Sequence, residues 1–529
     1  METRGIGGSA PGKTGDKIIA EAGLTSGGVT RSTRSLTSPA PKSPSNANLD
    51  FPEVLGKKRD SVKSIFAGLI TAILMALGVA AQQTAPPASL PPPATAQSAE
   101  FLEAADEVLA EMSKLISLPV LHPLKKSMRS RDEIKAYLLQ KMKEDKDADK
   151  RYADQKTMEK FGLLPKDYPL DAVLVKVLTE QIAGLYDTDS QEFFIADWTS
   201  PADQRMVMSH ELTHALMDQH FHIDQWTDAA KPNDDGELAR DAVIEGSAMA
   251  AMLDYQLGGK GSIRDLGDFD PALLMGDADS SPELSKAPKV LQDELLFPYV
   301  AGIKFTQRVL QATSGWPDFH KVFENPPLST QQIMHPELYL AGIAPPKIKL
   351  PETAGVVSTD WKKLDENDMG EFGLLEIFKQ FLPKDRSTTL AATWSADRYA
   401  IFENQKDKRT LLLFDVHLQN DADAARFFGA YSEVLELKYA QRTNLLRRPN
   451  FFSFDTPEDG IFLRCAASDC LVLEGGSRTM FDHFTMEMGW PSGPAVPMKP
   501  DESRVKVTAF PIMHELVADA GQPTQPTAQ

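Results

Sequence analysis

The stretch Met208-Ser-His-Glu-Leu-Thr-His-Ala-Leu216 decides how this chain is read. It contains His210-Glu211-x-x-His214. Helix positions four apart share a face, so His210 and His214 present two imidazoles to one ion. Glu211 lies beside them, where a carboxylate holds and deprotonates a water activated by that ion. A helix is expected here. Ser200, Pro201 and Asp203 supply an N-cap, a first-turn proline and a capping-box acid. Met206, Val207, Leu212, Ala215 and Leu216 supply its apolar stripe. The alternative is two surface histidines on an ordinary amphipathic helix.

On the N-terminal side, Gln181–Tyr186 and Glu192–Ala196 flank the polar turn Asp187-Thr-Asp-Ser190 and predict a β-hairpin. Such a strand either pairs with an extended substrate backbone or is purely structural. On the C-terminal side, His220 follows His214 by six residues, the spacing of the third histidine in HExxHxxGxxH sites. Met217 occupies the place of the glycine that turns the chain in those sites. A helix that continues through Met217 carries His220 away from the metal face. A second helix is expected from Glu237 to about Leu257, capped by Asp234 or Asp235 and stopped by Gly258-Gly259. Glu245 lies on it among apolar neighbours, where a carboxylate is costly unless it is paired or binds metal. That makes Glu245 the third ligand, against a solvated or ion-paired acid. Asp241, one turn earlier, is a candidate to orient a ligand imidazole.

His210-Glu-Leu-Thr-His-Ala-Leu-x-Asp-Gln-His-Phe221 with Ile244-Glu-Gly-Ser-Ala248 resembles a group of bacterial exported HExxH proteins. These in turn resemble glutamate-ligand zinc peptidases of the thermolysin type. Gln181-Ile-Ala-Gly-Leu-Tyr-Asp187 and Ser329-Thr-Gln-Gln-Ile-Met-His-Pro336 extend the resemblance over roughly residues 100–345. It implies a zincin-like fold and a Zn2+ ion on His210, His214 and Glu245, with Glu211 as general base. Ser247 departs from the group, which commonly carries an acid there. His335, far along the chain in the last of these motifs, is a candidate donor to the oxyanion of a tetrahedral intermediate, or else a capping or core histidine. Tyr299, on a helix expected from Leu291 to Thr313, faces either the cleft or the core. Residues 258–290 form an ordered excursion or a lid.

The net charge of −19 argues against nucleic acid and anionic membrane surfaces as partners. Residues 1–56 have the composition of a disordered extension. Residues 57–83 join Lys57-Lys58-Arg59 to an apolar run, Ile65–Ala81, that ends in small residues. That pattern fits a signal peptide, or a membrane anchor through residues 65–81. Residues 84–99 are a Pro/Ala-rich linker. Glu100–Ile116 and Arg131–Lys150 have helical spacing. Past Pro345-Pro346 the pattern changes to a second, α+β module over 346–515, followed by a disordered tail, 516–529. Strands are expected at Tyr399–Phe402, Thr410–Val416, Ile461–Arg464 and Cys470–Leu473, and helices at Glu371–Phe381 and Asp421–Leu435. His417 is read as structural. Cys465 and Cys470 flank a short turn and form a disulfide in an oxidising compartment.

The fold expected is α+β: a mainly helical zincin-like metallopeptidase domain with a small sheet, then an α+β accessory domain. The activity expected is hydrolysis of peptide bonds in a peptide or protein substrate, in an exported protein that is periplasmic, secreted or membrane-anchored. The alternative is a catalytically silent zinc-binding or envelope assembly protein on the same fold.

Overall fold

The computed structural model describes residues 94–144, 148–199, 201–271 and 281–490. The N-terminal extension (1–56), the signal or anchor segment (57–83), most of the linker, the Ser200 cap and the tail lie outside the described residues. So does the stretch 491–515 of the second module. Among the described residues, no helix is long and apolar enough to cross a membrane.

The first helix, α1 (Ala94–Leu115), starts directly after Pro93, earlier than the expected Glu100. It buries Phe101, Ala105, Val108 and Met112 at intervals of three or four residues. Then come β1 (Lys125–Arg129), α2 (Arg131–Glu144), α3 (Ala148–Phe161) and α4 (Leu170–Gln181). The helix expected over Arg131–Lys150 is present at Arg131–Glu144 and again from Ala148, with 145–147 outside the described residues. The predicted hairpin is present as β2 (Gly184–Asp187) and β3 (Glu192–Ala196). β1 joins it in parallel on the other side of β3, giving the order β1-β3-β2.

The HExxH helix is α5 (Pro201–Phe221), unbroken through Met217 as its sequence predicts. After α6 (Ile223–Asp228) comes α7 (Asp234–Gln256), which carries Glu245. Its N-cap is Asn233, whose side chain accepts from Gly236 N–H at 2.6 Å, rather than Asp234 or Asp235. Those two acids instead fill the first turn, where they face the positive end of the helix dipole. Beyond Gly259 the chain folds back as an ordered excursion as far as residue 271. Gln307 Nε2 donates to the carbonyls of Ile263 and Leu266, each at 3.0 Å.

Two short helices, α8 (Pro282–Lys286) and α10 (Trp316–Phe319), bracket the long α9 (Lys289–Ala312). Helix α9 crosses α7 in near backbone contact. A Cβ on Gly246 would lie 2.0 Å from the carbonyl carbon of Gly302, so any side chain there would separate the helices. Helices α11 (Thr330–Met334) and α12 (Pro336–Leu340) close this part of the chain.

The C-terminal part is built on seven antiparallel strands in the order β4-β5-β6-β10-β9-β8-β7. These are β4 (Trp361–Asn367), β5 (Trp394–Asn404), β6 (Thr410–Leu418), β7 (Thr443–Arg448), β8 (Phe451–Asp455), β9 (Gly460–Ala466) and β10 (Asp469–Gly476). Helices α13 (Gly370–Phe381), α14 (Lys384–Ala391), α15 (Asp421–Lys438) and α16 (Arg478–Glu487) complete it. Residues alternate between the faces: Ile401, Leu412, Phe414 and Val472 pack under α13 and α15, while Phe402, Leu411, Leu413 and Leu473 pack under α16. Cys465 and Cys470 face each other across β9 and β10 in the expected disulfide, with an S–S distance of 2.01 Å.

The expected boundary at 345/346 does not divide the core. Phe161, Leu163, Leu170, Leu174 and Leu291 from the first part pack in one cluster with Leu374, Phe378, Tyr399 and Phe414 from the second. The architecture is mixed α/β, mainly helical through residue 340, with the antiparallel sheet after it.

Candidate metal centre

Helix α5 presents His210 and His214 one turn apart, and α7 brings Glu245 against them. The two Nε2 atoms are 3.0 Å apart. Glu245 Oε2 is 3.2 Å from His210 Nε2 and 3.4 Å from His214 Nε2. A tetrahedral zinc with bonds of about 2.1 Å needs its donors about 3.4 Å apart. The three observed separations are close to that edge length, and the donor set is two imidazoles and one carboxylate. All three residues are buried.

Neither His210 Nδ1, nor His214 Nδ1, nor Glu245 Oε1 has a hydrogen-bond partner among the described residues. Three acceptor atoms, the two Nε2 and Glu245 Oε2, converge at one buried point, which is what a cation would satisfy. These residues therefore fit zinc. Burial alone lowers the His214 pKa, but the Glu245 carboxylate outweighs it and leaves the imidazole above its usual range. Burial raises the Glu245 carboxyl in turn, and the two histidines more than reverse that.

Glu211, also fully buried, is held from the hairpin. Its Oε2 accepts the backbone N–H of Tyr186 at 2.9 Å. Gly184 allows this approach, because a Cβ there would lie 2.3 Å from Val207 Cγ1. Tyr186 also donates its hydroxyl to Asp218 Oδ2 at 2.8 Å, tying the far end of α5 to the same strand. The outward N–H of the edge strand β2 is thus spent on the helix beside it. That engagement of Tyr186 favours the structural reading of the hairpin.

Several other candidates fall elsewhere. His220 donates from Nε2 to the Pro119 carbonyl at 2.7 Å and takes no part in the cluster, because the unbroken helix rotates it off the metal face. Asp241 orients neither imidazole, since neither Nδ1 has a partner; it is half-buried and lines a neighbouring cavity. Ser247 and Met217, the two departures from the patterns of related sites, touch each other, with Ser247 Oγ 3.2 Å from Met217 Sδ.

Tyr299 is fully buried yet serves the site: its ring stacks on His210 with centroids 6.2 Å apart, and it lines the same cavity as Asp241. Packing by Tyr299 holds the His210 ring where an outer hydrogen bond usually would. His335 pairs through Nε2 with Glu371 at 2.8 Å, which raises its pKa against the pull of burial. It is not among the residues lining the cavity. His417 lies between Asp415 and Asp469 at 3.5 and 3.3 Å, a structural role as expected.

The cavity has a volume of about 480 Å3 and opens between α7 and α9 on one side and β4 and α13 on the other. None of His210, Glu211, His214 or Glu245 lines it. Its lining residues run from Lys150 to Tyr399 in the chain, and only the fold assembles them.

One family model, a domain of unknown function (DUF8575), matches residues 358–481, the span from just before β4 to the start of α16. No curated protein and no solved structure matches the chain.

Proposed function

We propose that this chain is an exported, zinc-dependent peptide hydrolase with a zincin-like site. The carrying observation is the convergence of His210 Nε2, His214 Nε2 and Glu245 Oε2 within 4.8 Å of one another, beside a buried Glu211. A zinc ion held there supplies Lewis acidity, making a water nucleophilic near neutral pH and polarising a carbonyl. Glu211 accepts the proton of that water and returns it to the leaving amine. Its hydrogen bond from Tyr186 N–H fixes the carboxylate in place. Tyr299 keeps the His210 ring from rotating. The sequence of residues 57–83 supports export.

Burial of all four residues, none of which lines the cavity beside α7 and α9, favours a second reading: a zinc ion that holds α5 to α7 in a catalytically silent envelope protein. One experiment separates the two. Glu211→Gln keeps the shape of the side chain and removes its basicity. In the hydrolase it retains one zinc per chain and loses cleavage of a peptide library by about a hundredfold or more. Unchanged cleavage in that variant, or no cleavage by the zinc-loaded wild type, sinks the hydrolase and leaves the structural zinc.

A further inference from the structure

Every charged side chain that lines the cavity already has a partner. Lys150 Nζ pairs with Asp234 at 2.7 Å, with Asp365 at 3.2 Å and with Asp154. Arg398 holds Asp368 at 2.7 Å, and Lys379 holds Glu376 at 2.8 Å. Lys231 lies 2.6 Å from Asp228 and 3.7 Å from Glu237, and Arg151 lies 3.4 Å from Asp171. Asp235 accepts from the backbone N–H of Thr330 at 3.1 Å and from its hydroxyl. Asp241 and Glu294 are engaged as well. The neutral polar groups are spent in the same way. Tyr399 donates its hydroxyl to Asp365 at 3.1 Å, and Thr157 donates to the Ala153 carbonyl at 2.9 Å. An ion that enters sheds its water and finds no free partner in return.

The rest of the wall is hydrocarbon. Phe161 of α3, Leu174 of α4, Val290 and Leu291 of α9 and Phe372 of α13 all line the space. Its volume of about 480 Å3 falls within the range of small-molecule pockets, about 300–1,000 Å3. Such pockets are mostly apolar and form where two parts of a protein meet. This one lies where α3, α4, α7 and α9 meet β4, β5 and α13. Protein interiors are otherwise packed like organic crystals, and a close-fitting apolar guest gains dispersion contacts from every side of such a wall.

We propose that this cavity is a binding site for an uncharged small molecule with a hydrocarbon body and no ionised group. It is distinct from the metal centre, whose ligands do not line it, and it stands whether or not that centre hydrolyses peptides. The two sites share one side chain. Tyr299 lines the cavity and stacks on His210, so the guest packs against the ring that restrains a metal ligand.

The test is a titration of the full chain with N-phenylnaphthylamine, an uncharged dye whose fluorescence rises in apolar surroundings. The dye is then displaced with decanol, decanoate or decylammonium, which share one chain length and differ in the charge of the head. Saturable binding of about one dye per chain is expected, with a rise in melting temperature, as linkage requires of a ligand of the folded state. Decanol should displace the dye at concentrations at least about tenfold below those of either ion, since the engaged wall does not replace the water that an ion loses. Val290→Phe and Leu174→Phe each put a ring into the space. Each should weaken the dye at least about tenfold while the melting temperature of the free chain holds or rises, since a filled cavity gains packing. These variants separate the cavity from any other apolar surface of the chain, and the head-group series needs no variant to fold. Absence of saturable binding overturns the site. Undiminished dye binding in both folded variants overturns its location. Displacement by decanoate or decylammonium as readily as by decanol overturns the uncharged ligand in favour of one recognised by its charge.

Discussion

Two clusters of charged side chains among the described residues, one around the buried Glu474 and one around the buried Glu245, are built on opposite principles. In the sheet, Glu474 of β10 accepts from Lys438 Nζ at 2.5 Å, Tyr439 hydroxyl at 2.7 Å and Tyr431 hydroxyl at 3.4 Å. Lys438 also donates to the Lys160 carbonyl. Donors and acceptors are matched: no side-chain atom of Lys438, Glu474, Tyr431 or Tyr439 is buried without a partner. Between α5 and α7, by contrast, three acceptors converge and three further polar atoms have no partner among the described residues. A matched network is architecture, whereas a surplus of lone pairs aimed at one point is a ligand site.

The comparison breaks first on metal content. His210→Ala and Glu245→Ala should each weaken zinc binding by more than about a hundredfold, since losing even an outer partner of a ligand costs 10- to 100-fold. His220→Ala should leave zinc content unchanged, because that side chain is engaged with Pro119. Metal analysis after gel filtration reads all three. Stoichiometric zinc in the His210→Ala protein would sink the centre. A zinc loss in His220→Ala equal to that in Glu245→Ala would mean that the chain bends after His214 in solution.

The matched cluster should show the reverse profile. Lys438→Met removes the cation bonded to Glu474 and leaves it with the two tyrosine hydroxyls and the nearby Lys160 charge; breaking one side of a buried pair costs up to about 3–5 kcal/mol. The double variant Lys438→Met/Glu474→Leu removes both charges and should recover part of that loss. Zinc per folded chain should stay at the wild-type level in both, with stability read from denaturant midpoints. Unchanged stability in the single variant would mean that Glu474 is reached by water and that the two clusters are less different than their geometry.

These two clusters were not equally legible. The centre could be read because its signals are local. The four-residue spacing puts His210 and His214 on one face, Met217 in place of glycine keeps α5 straight, and the apolar setting of Glu245 marks a buried acid. Its surroundings were harder to read. Tyr299 is both core and site, a distinction that periodicity does not make. Strand β1 carries Lys125-Lys-Ser-Met-Arg129, with no apolar alternation, and exists because β3 offers a parallel partner more than sixty residues away. Strands β4 and β7, at the sheet edges, are largely polar and escaped for the same reason. The Glu474 network escaped altogether, since Lys160, Lys438 and Glu474 meet only in the fold. So did the cavity: its acids look like ordinary solvated residues until five helices and the sheet surround them.

The smallest effect belongs to the disulfide, and it tests whether the sheet is held by matched non-covalent contacts. Cys465 and Cys470 are five residues apart, so their bond closes a very short loop. The chain-entropy argument gives about 2 kcal/mol for a loop of that size. Even this is an upper value here, because the ladder of β9 and β10 pairs the same two residues and already closes the loop. Ala467, at φ 53°, turns the chain between them without help from the sulfurs. Reduction, or the double variant Cys465→Ala/Cys470→Ala, should therefore lower stability by less than about 2 kcal/mol and leave zinc content untouched. Melting with and without dithiothreitol, with metal analysis on the same samples, reads both quantities. A drop as large as that of Lys438→Met would show that covalent closure, rather than the buried network and its packing, holds the sheet. Loss of zinc on reduction would show that the sheet transmits its state to α5 and α7 through the core they share.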